Sequence, residues 1–294
     1  MTNYCGYIAL VGRPNVGKST LLNCILDHKI SITSRKPQTT RHSILGVRTD
    51  DAAQYVYVDT PGIHQGSKKV MNRMMNKTAM RVLNDVDVIV FVIEGLHWQD
   101  EDTYVLELIK KANIPCVLVI NKIDNIADKS ALLPWIEEMS QRHTFAAVVP
   151  LSARTGLQTD ILHTELQQFL PESPHLFPAD QLTDRPVRFL CAEILREKVF
   201  RHCGQELPYS ISVEIEAYED TPALARICAL VWVDKESQKR MIIGDKGAKL
   251  KEMGTQARLD MEKLLQKKVF LQCWCKVKSG WSDNESILQE LGYE

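Results

Sequence analysis

A segment near the N-terminus constrains the fold more than any other feature of the chain. It follows a short apolar run, Tyr7–Val11, and matches the pattern G-x-x-x-x-G-K-[ST]. Such a loop lies between a β-strand and the start of a helix, where its backbone N–H groups turn inward around phosphate oxygens. We call it the phosphate loop: Gly12, Arg13, Pro14, Asn15, Val16, Gly17, Lys18 and Ser19, with Thr20 behind it. We expect Lys18 to reach the β- and γ-phosphates of a nucleotide and Ser19 to ligate Mg²⁺.

Apolar runs and amphipathic stretches alternate from Tyr7 to about Leu170. The runs are short, β-branched and nearly continuous in hydrophobicity, which indicates strands covered on both faces. The predicted strands are Tyr7–Val11, Tyr55–Val58, Val86–Ile93, Cys116–Ile120 and Ala147–Leu151, and the helical stretches include Lys18–Leu26, Glu101–Lys111 and Ser130–Arg142. The pattern predicts an α/β domain over residues 1–172, with a mostly parallel sheet and helices on both faces. Ligands of such sheets bind at the carboxyl ends of the strands.

Two further motifs follow predicted strands and identify the nucleotide. Asp59-Thr60-Pro61-Gly62 comes after the second strand, so we expect Asp59 to hold Mg²⁺ through water and the Gly62 amide to sense the γ-phosphate. Asn121-Lys122-Ile123-Asp124 follows a later strand, and the Asp124 carboxylate can accept hydrogen bonds from N1 and the 2-amino group of guanine. Adenine lacks that donor pair, which disfavours a metabolic ATPase. The motifs predict GTP and GDP as the ligands.

The rest of the base site is predicted from the neighbours of these residues. Asn121 and Lys122 are expected to support the base and its loop. Ser152 and Ala153 follow the next strand, where a backbone N–H can bind the guanine oxygen.

The segment from Lys36 to His42 is polar and suits a mobile switch. Thr40, or alternatively Thr39, is expected to ligate Mg²⁺ when the γ-phosphate is present, which makes Ser19, Thr40 and Asp59 the predicted metal residues. The alternative is a solvated loop.

Hydrolysis is expected to be slow or to need help from another group. The residue after Gly62 is Ile63, which cannot orient a water as the glutamine of Ras-like enzymes does. Asn15 is a candidate for holding K⁺ beside the phosphates, or else it is a structural loop residue. The predicted catalytic set is Lys18, Asn15, Thr40 and Gly62.

A second, smaller domain is predicted after a proline-containing linker over residues 173–186. Residues 187–294 follow the order helix, strand, strand, helix, strand, and the second helix is expected from Ala248 to about Leu265. A G-x-x-G sequence stands before that helix, and KH modules clamp about four nucleotides by their backbone with such a loop. The predicted RNA-binding residues are Ile243, Gly244, Asp245, Lys246, Gly247, Lys249, Lys251 and Lys278. The alternative is a helix start with a solvated basic face, and Trp281 is either a stacking platform or a packing residue.

Composition limits the cellular setting. A net charge of −1 excludes a wholly basic nucleic-acid protein, so any RNA contact must use a local surface. The apolar runs are too short for a membrane-spanning helix, and the start of the chain does not look like a secretion signal. The eight cysteines include no C-x-x-C pair, which favours reduced thiols in the cytoplasm.

Taken together, these residues resemble the Era family of bacterial ribosome-assembly GTPases over nearly the whole length. The similar segments are GRPNVGKSTLLN, KISITSRKPQTTRH, YVDTPG, NKID, TDRPVRF, ELPYS, IIGDKGAKLK and KVKSGW. The resemblance implies a Ras-like GTPase domain followed by a type II KH domain. It also implies a monomer that binds the 3′ end of 16S ribosomal RNA during small-subunit maturation, with peripheral association at the inner face of the cell membrane. Asp245 stands where many KH domains carry a basic or small residue.

Two functions are compatible with the residues. The first is an enzyme used as a switch, in which GTP favours one arrangement of the domains, RNA prefers that arrangement and hydrolysis releases the RNA. The second is a GTP-regulated membrane or cell-cycle adaptor whose small domain binds protein or lipid, since basic helical faces also suit anionic lipids.

Overall fold

The computed structural model describes residues 3–34, 36, 39–63, 70–203, 211–290 and 292–293. The chain divides into two compact units. The first comprises Met1–Ser31, Thr40–Ser67 and Met75–Asp184, and the second comprises Ile32–Thr39, Lys68–Met74 and Arg185–Glu294. The predicted segment 206–210, ELPYS, and residues 37 and 38 of the switch lie outside the described residues.

The first unit is built on a six-stranded sheet with the order β2-β3-β1-β4-β5-β6. Its strands are β1 (Tyr4–Val11), β2 (Ile44–Thr49), β3 (Ala53–Asp59), β4 (Val88–Glu94), β5 (Cys116–Asn121) and β6 (Ala147–Pro150). Every neighbouring pair is parallel except β2 and β3, which are antiparallel. The mostly parallel α/β sheet predicted from the sequence is confirmed, and the edge strand β2 is an addition to it.

Helices connect the strands of this sheet. They are α1 (Lys18–Leu26), α2 (Val70–Val82), α3 (Asp100–Ala112), α4 (Leu132–Arg142) and α5 (Thr159–Gln167), of which α2 straddles the division between the units. The central strands are buried over almost their whole length, including all seven residues of β3 and the first six of β4. This continuous burial explains why their sequences lack the alternation of a half-exposed strand.

The predicted linker lies along the edge of the first sheet. The Leu182 carbonyl accepts a hydrogen bond from the Val47 N–H of β2 at 2.9 Å. The fully buried Gln54 side chain accepts from the backbone N–H groups of Leu176 and Phe177 at 2.8 and 2.9 Å. The segment is therefore held by hydrogen bonds to the backbone of β2 and to the Gln54 side chain of β3, although its composition is that of a linker.

The second unit contains a three-stranded sheet with the order β7-β8-β9. Its elements are α6 (Val187–His202), β7 (Ile211–Asp220), β8 (Leu224–Val233), α7 (Glu236–Ile243), α8 (Ala248–Leu265), β9 (Lys268–Val277) and α9 (Glu285–Glu290). Strands β7 and β8 are antiparallel, whereas β8 and β9 are parallel. Apolar residues of α6 and α8, among them Leu195 and Met253, share one core with the sheet.

The order of elements predicted for this unit lacks two of the observed helices, α7 and the short C-terminal α9. The sequence indicates only an apolar stretch before Gly244, but this segment is helix α7. The helix starts where the Gln238 side chain accepts hydrogen bonds from the N–H groups of Asp234 and Lys235, at 2.9 and 3.0 Å. This side-chain cap stabilises a helix of eight residues whose apolar pattern is too short to be recognised.

Within the second unit, Thr33 and Thr39 lie against the polar side of α6. The buried Glu197 carboxylate accepts hydrogen bonds from the Thr33 backbone N–H at 3.0 Å and from its hydroxyl at 3.3 Å. The Arg196 guanidinium donates to the Thr39 carbonyl. Helix α6 thus buries charged residues on this side and apolar residues on the sheet side.

Candidate nucleotide site and RNA-binding loop

The phosphate loop connects β1 to α1 and has a backbone that only particular residues can adopt. Gly12 and Gly17 have φ angles of 153° and 105°, and Asn15 adopts a left-handed conformation at 66°. A Cβ on Gly17 would lie 2.3 Å from Asn121 Nδ2, and one on Gly12 would lie 2.3 Å from the Val92 carbonyl oxygen. Both glycines are therefore required by close approach as well as by φ.

Lys18 is buried at the centre of this loop. Its Nζ donates hydrogen bonds to the carbonyls of Gly12 and Arg13 at 2.9 and 3.0 Å. Burial lowers the pKa of Lys18 to about 8, and the charge of Asp59 opposes that shift. A buried ammonium held mainly by neutral carbonyls is suited to an additional anionic ligand such as a phosphate.

The three predicted metal residues are brought together at the end of β3. Ser19 Oγ donates to Asp59 Oδ2 at 2.6 Å and lies 2.7 Å from Thr40 Oγ1. Burial raises the pKa of Asp59, while the hydrogen bond from Ser19 acts in the opposite direction. Asp59 Oδ1 is buried and has no hydrogen-bond partner among the described residues. A set of hydroxyl and carboxylate oxygens with one unsatisfied member fits Mg²⁺, which prefers hard oxygen ligands.

The structure distinguishes the two threonines of the switch. Thr40 contributes its hydroxyl to the oxygen cluster, whereas the Thr39 hydroxyl donates to the Lys36 carbonyl at 2.6 Å. Ser31 was missed by sequence reasoning, although its Oγ donates to Asp59 Oδ2 at 2.9 Å. It lies in the segment KISITSRKPQTTRH, but no pattern in that segment assigns it a role, so only the folded contact identifies it.

The base end of the site is organised by Asn121. Its Nδ2 donates to the Val16 carbonyl at 2.8 Å, and its Oδ1 accepts from the N–H groups of Lys122 and Ala153 at 2.7 and 3.0 Å. One amide therefore joins the phosphate loop, the predicted base motif and the segment after β6.

Asp124 is placed to accept hydrogen bonds at this end. The Ser152 hydroxyl donates to its Oδ1 at 2.6 Å, and the pKa of Asp124 is lowered chiefly by that bond. The exposed Arg154 side chain pairs with Oδ2. Because Arg154 is 71% exposed, it can leave Oδ2 to the donors of a guanine base.

The remaining predicted catalytic residues differ in their surroundings. Gly62 packs on the phosphate loop, since a Cβ there would lie 2.8 Å from Pro14 Cγ. Ile63 is fully buried in the apolar core of the first unit and offers no polar atom to a water. Asn15 is exposed on the loop and Thr20 is half-buried in the first helical turn. The K⁺ role of Asn15 stays a prediction.

The G-x-x-G loop joins α7 to α8 in the second unit. Gly244 and Gly247 have φ angles of 71° and 82°, with Lys246 between them at 46°. Asp245, Lys246 and Lys251 are exposed, and Ile243 and Lys249 are half-buried. Backbone N–H groups at the start of α8 and three lysines thus stand together, which is the arrangement of a phosphate-backbone contact.

The two C-terminal residues singled out by sequence behave differently from each other. Lys278 Nζ lies 5.6 Å from the centre of the Trp232 ring and 3.5 Å from a carboxylate oxygen of Glu290. Trp281 is fully buried, with its ring centre 6.4 Å from that of Tyr293. Of the two roles considered for Trp281, packing is correct and stacking on RNA is not.

No helix in the described part of the chain has the length and apolar character needed to span a membrane.

Two family profiles match the chain in the regions of the two sites. Residues 7–122 match a profile described as 50S ribosome-binding GTPase, and residues 206–282 match a KH domain. Among curated proteins, the chain is 55% identical over 291 residues to GTPase Era of Coxiella burnetii, covering 99% of this chain and 98% of that protein. It is 52% identical over 289 residues to GTPase Era of Pseudomonas aeruginosa, covering 98% and 95%.

Among solved structures, two that match this chain cover 99% of its length. One is a single-residue variant of Aquifex aeolicus Era bound to GDP·AlF4⁻, with a TM-score of 0.95, 40% identity and 99% coverage of both chains. The other is Era in complex with MgGDPNP and nucleotides 1506–1542 of 16S ribosomal RNA, with the same TM-score, identity and coverage.

Proposed function

Because the chain belongs to the Era family of GTPases, we propose that it is a magnesium-dependent GTP-hydrolysing switch that binds the 3′ end of 16S ribosomal RNA through its KH domain. We further propose that it acts in maturation of the small ribosomal subunit as a cytoplasmic monomer, and that it associates peripherally with the inner face of the membrane. The proposed domains are the GTPase domain, residues 1–172, and the KH domain, residues 187–294, joined by residues 173–186.

The observation that carries the nucleotide half of the proposal is the oxygen cluster of Ser19, Thr40 and Asp59 beside the buried Lys18 ammonium. Ser19, Thr40 and Asp59 would hold Mg²⁺, and the bound ion would supply positive charge against the negative charge that develops on phosphoryl transfer. Lys18 would bind the same phosphates, the Gly62 amide would donate to the γ-phosphate, and Asp124 would select guanine. The related Era proteins bind GDP·AlF4⁻ and MgGDPNP.

The RNA half is supported by the G-x-x-G loop and by the full-length match to an Era protein solved with nucleotides 1506–1542 of 16S ribosomal RNA. The profile over residues 7–122 names the 50S subunit, but it covers only part of the chain, whereas the RNA-bound relative matches 99% of it. We therefore favour the small subunit. The same full-length matches disfavour the adaptor alternative.

Coupling between nucleotide and RNA would start at the switch. Thr39 is held by Arg196 of α6, and Thr40, the next residue, shares the oxygen cluster with Ser19. Ordering of Thr40 by Mg²⁺ and the γ-phosphate would therefore favour the contacts that Thr33 and Thr39 make with α6, and hydrolysis would weaken that preference.

The proposal is tested by measuring binding of a fluorescent RNA with the sequence of the 16S 3′ end. The affinity is compared in the presence of MgGDPNP and of MgGDP, with an RNA of scrambled sequence as the control. We expect tighter binding with MgGDPNP and weak binding of the scrambled RNA. Equal affinity for the two RNAs would contradict the RNA assignment, and equal affinity in the two nucleotide states would contradict the switch.

A further inference from the structure

Glu94 occupies a position between the two ends of the nucleotide site. It is the last residue of β4 and pairs in parallel register with Asn121 of β5. Its Oε2 accepts a hydrogen bond from Arg13 Nη2 at 3.2 Å, and Lys122 Nζ lies 2.8 Å from its Oε1. Arg13 belongs to the phosphate loop and Lys122 to the base motif. One carboxylate thus contacts a cation from each end.

The Arg13 side chain has a second anchor on the protein. Its Nε donates to Asp102 Oδ2 at 3.0 Å, and Asp102 is fully buried at the start of α3, where its Oδ2 also accepts from the Gln99 N–H at 3.0 Å. The Arg13 side chain is itself only 9% exposed. A guanidinium that is buried and shared between two carboxylates is poorly placed to serve as a ligand for phosphate. Its geometry indicates instead that it fixes the phosphate loop to the rest of the domain.

We propose that Glu94 is a positioning residue, which sets the spacing between the phosphate loop and the guanine-recognition motif by holding Arg13 and Lys122 at the same time. Asn121 joins the same two ends through neutral hydrogen bonds to Val16 and Ala153. Glu94 adds a charged link, and Arg13 would keep only the Asp102 carboxylate without it. A nucleotide binds more tightly when both ends of its site already have the right spacing, because binding then loses no conformational entropy in ordering them.

This inference rests on the proposed GTP site, and a series of ligands tests the role of Glu94 and the GTP site separately. The whole protein and its Glu94→Gln variant are titrated with GTP and GDP in the presence of Mg²⁺, and then with GMP and inorganic pyrophosphate in competition. Glutamine keeps the size of the side chain but loses its charge. We expect GTP and GDP affinity to fall at least about tenfold, because one charge-assisted link is lost. GMP and pyrophosphate each occupy one end, so we expect their affinities to change less than about twofold.

Glu138→Gln provides the matched control. Glu138 forms an Arg–carboxylate pair with Arg142 at 2.7 Å on α4, and both side chains are more than a third exposed. We expect this variant to bind all four ligands like the unmodified protein.

Glu94→Asp serves as the second variant, with folding of every variant checked by circular dichroism. Aspartate keeps the charge, but its shorter side chain reaches only one of the two cations, so we expect the same loss of GTP affinity. Folded Glu94 variants that bind GTP within twofold of the unmodified protein would overturn the inference. A fall in GMP affinity as large as that in GTP affinity would also overturn it, because Glu94 would then act on the base end alone. Failure of the unmodified protein to bind GTP would instead refute the proposed function.

Discussion

The nucleotide site and the G-x-x-G loop use similar elements in opposite ways. Both place glycines with positive φ before a helix N-terminus, at Gly17 before α1 and at Gly247 before α8. In the nucleotide site, the glycine lies against Asn121, and the buried Asn121 and Lys18 side chains donate hydrogen bonds to backbone carbonyls of the phosphate loop. A Cβ on Gly247 would meet nothing within 4 Å, and the neighbouring Lys246 is exposed. A buried site is specified by geometry, whereas an exposed loop is specified mainly by charge and backbone access.

Among the variants that test this contrast, Asp124→Asn is expected to have the largest effect on ligand affinity. The amide cannot accept both guanine donors, so GTP affinity should fall on the order of a thousandfold while xanthosine triphosphate becomes the better ligand. Titration with both nucleotides measures the change. Asp128→Asn is the control, since Asp128 is an exposed residue that caps the turn at Ser130. Retained GTP preference in Asp124→Asn would refute the assignment of Asp124.

Gly17→Ala tests whether geometry controls the nucleotide site. The methyl group would lie 2.3 Å from Asn121 Nδ2 at a φ of 105°, so Asn121 must shift and release its contacts. We expect GTP affinity to fall roughly a hundredfold, from strain and lost hydrogen bonds together. Gly280→Ala has a positive φ of 71° but open space around it, and should leave GTP binding unchanged. Equal nucleotide affinity in the two variants would show that crowding at Gly17 is unimportant.

Replacing Lys246 and Lys251 by alanine tests whether charge controls the RNA loop. RNA affinity should fall about tenfold, and the slope of log affinity against log salt should flatten by about 1.4, or about 0.7 for each phosphate contact on a single strand. Affinity is measured at several salt concentrations. Lys263→Ala removes an exposed lysine from α8, the helix that also carries Lys251, and should have little effect. An unchanged slope in the double variant would place the RNA elsewhere.

The smallest effect is expected for Gly247→Ala. Alanine at a φ of 82° with open space around it carries only the cost of a left-handed residue, about 1 kcal/mol. The free energy of unfolding should fall by about that amount and RNA affinity by less than about tenfold. Gly244→Ala should do more, since its Cβ would lie 2.6 Å from Lys249 Cβ. Chemical denaturation and RNA titration compare the two, and the reverse order would contradict the geometry of the loop.

Sequence alone predicts the nucleotide site better than the elements around it. The motif residues lie after strands, and the parallel sheet brings strand ends such as Asp59 and Asn121 to one edge, so their meeting can be anticipated. Helix α8 is predicted with its observed bounds because its apolar residues recur over 18 positions. Strand β2 was missed because Gly46 interrupts its apolar residues and Arg48 and Thr49 end it, so its sequence lacks the continuous apolar run of the other strands.

The charged contacts of the site could not be predicted in the same way. Glu94 and Arg13 are 81 positions apart, and a glutamate and an arginine at that separation form no recognisable sequence pattern. Ser31 likewise contacts Asp59 through a hydrogen bond that no sequence pattern predicts. The G-x-x-G loop is the opposite case. Its four-residue pattern is visible in the sequence, but its side chains are exposed, so their contacts with RNA have to be measured.

The central claim is that the two sites act as one switch, and GTP turnover with and without RNA tests it most directly. The rate of phosphate release is measured in potassium buffer with Mg²⁺, with a short RNA of the 16S 3′ end, for the unmodified protein and a Gly244/Gly247 double alanine variant. We predict that RNA stimulates hydrolysis by the unmodified protein and that the double variant loses the stimulation but keeps its basal rate. Intact GTP turnover with no response of the unmodified protein to RNA would contradict the claim.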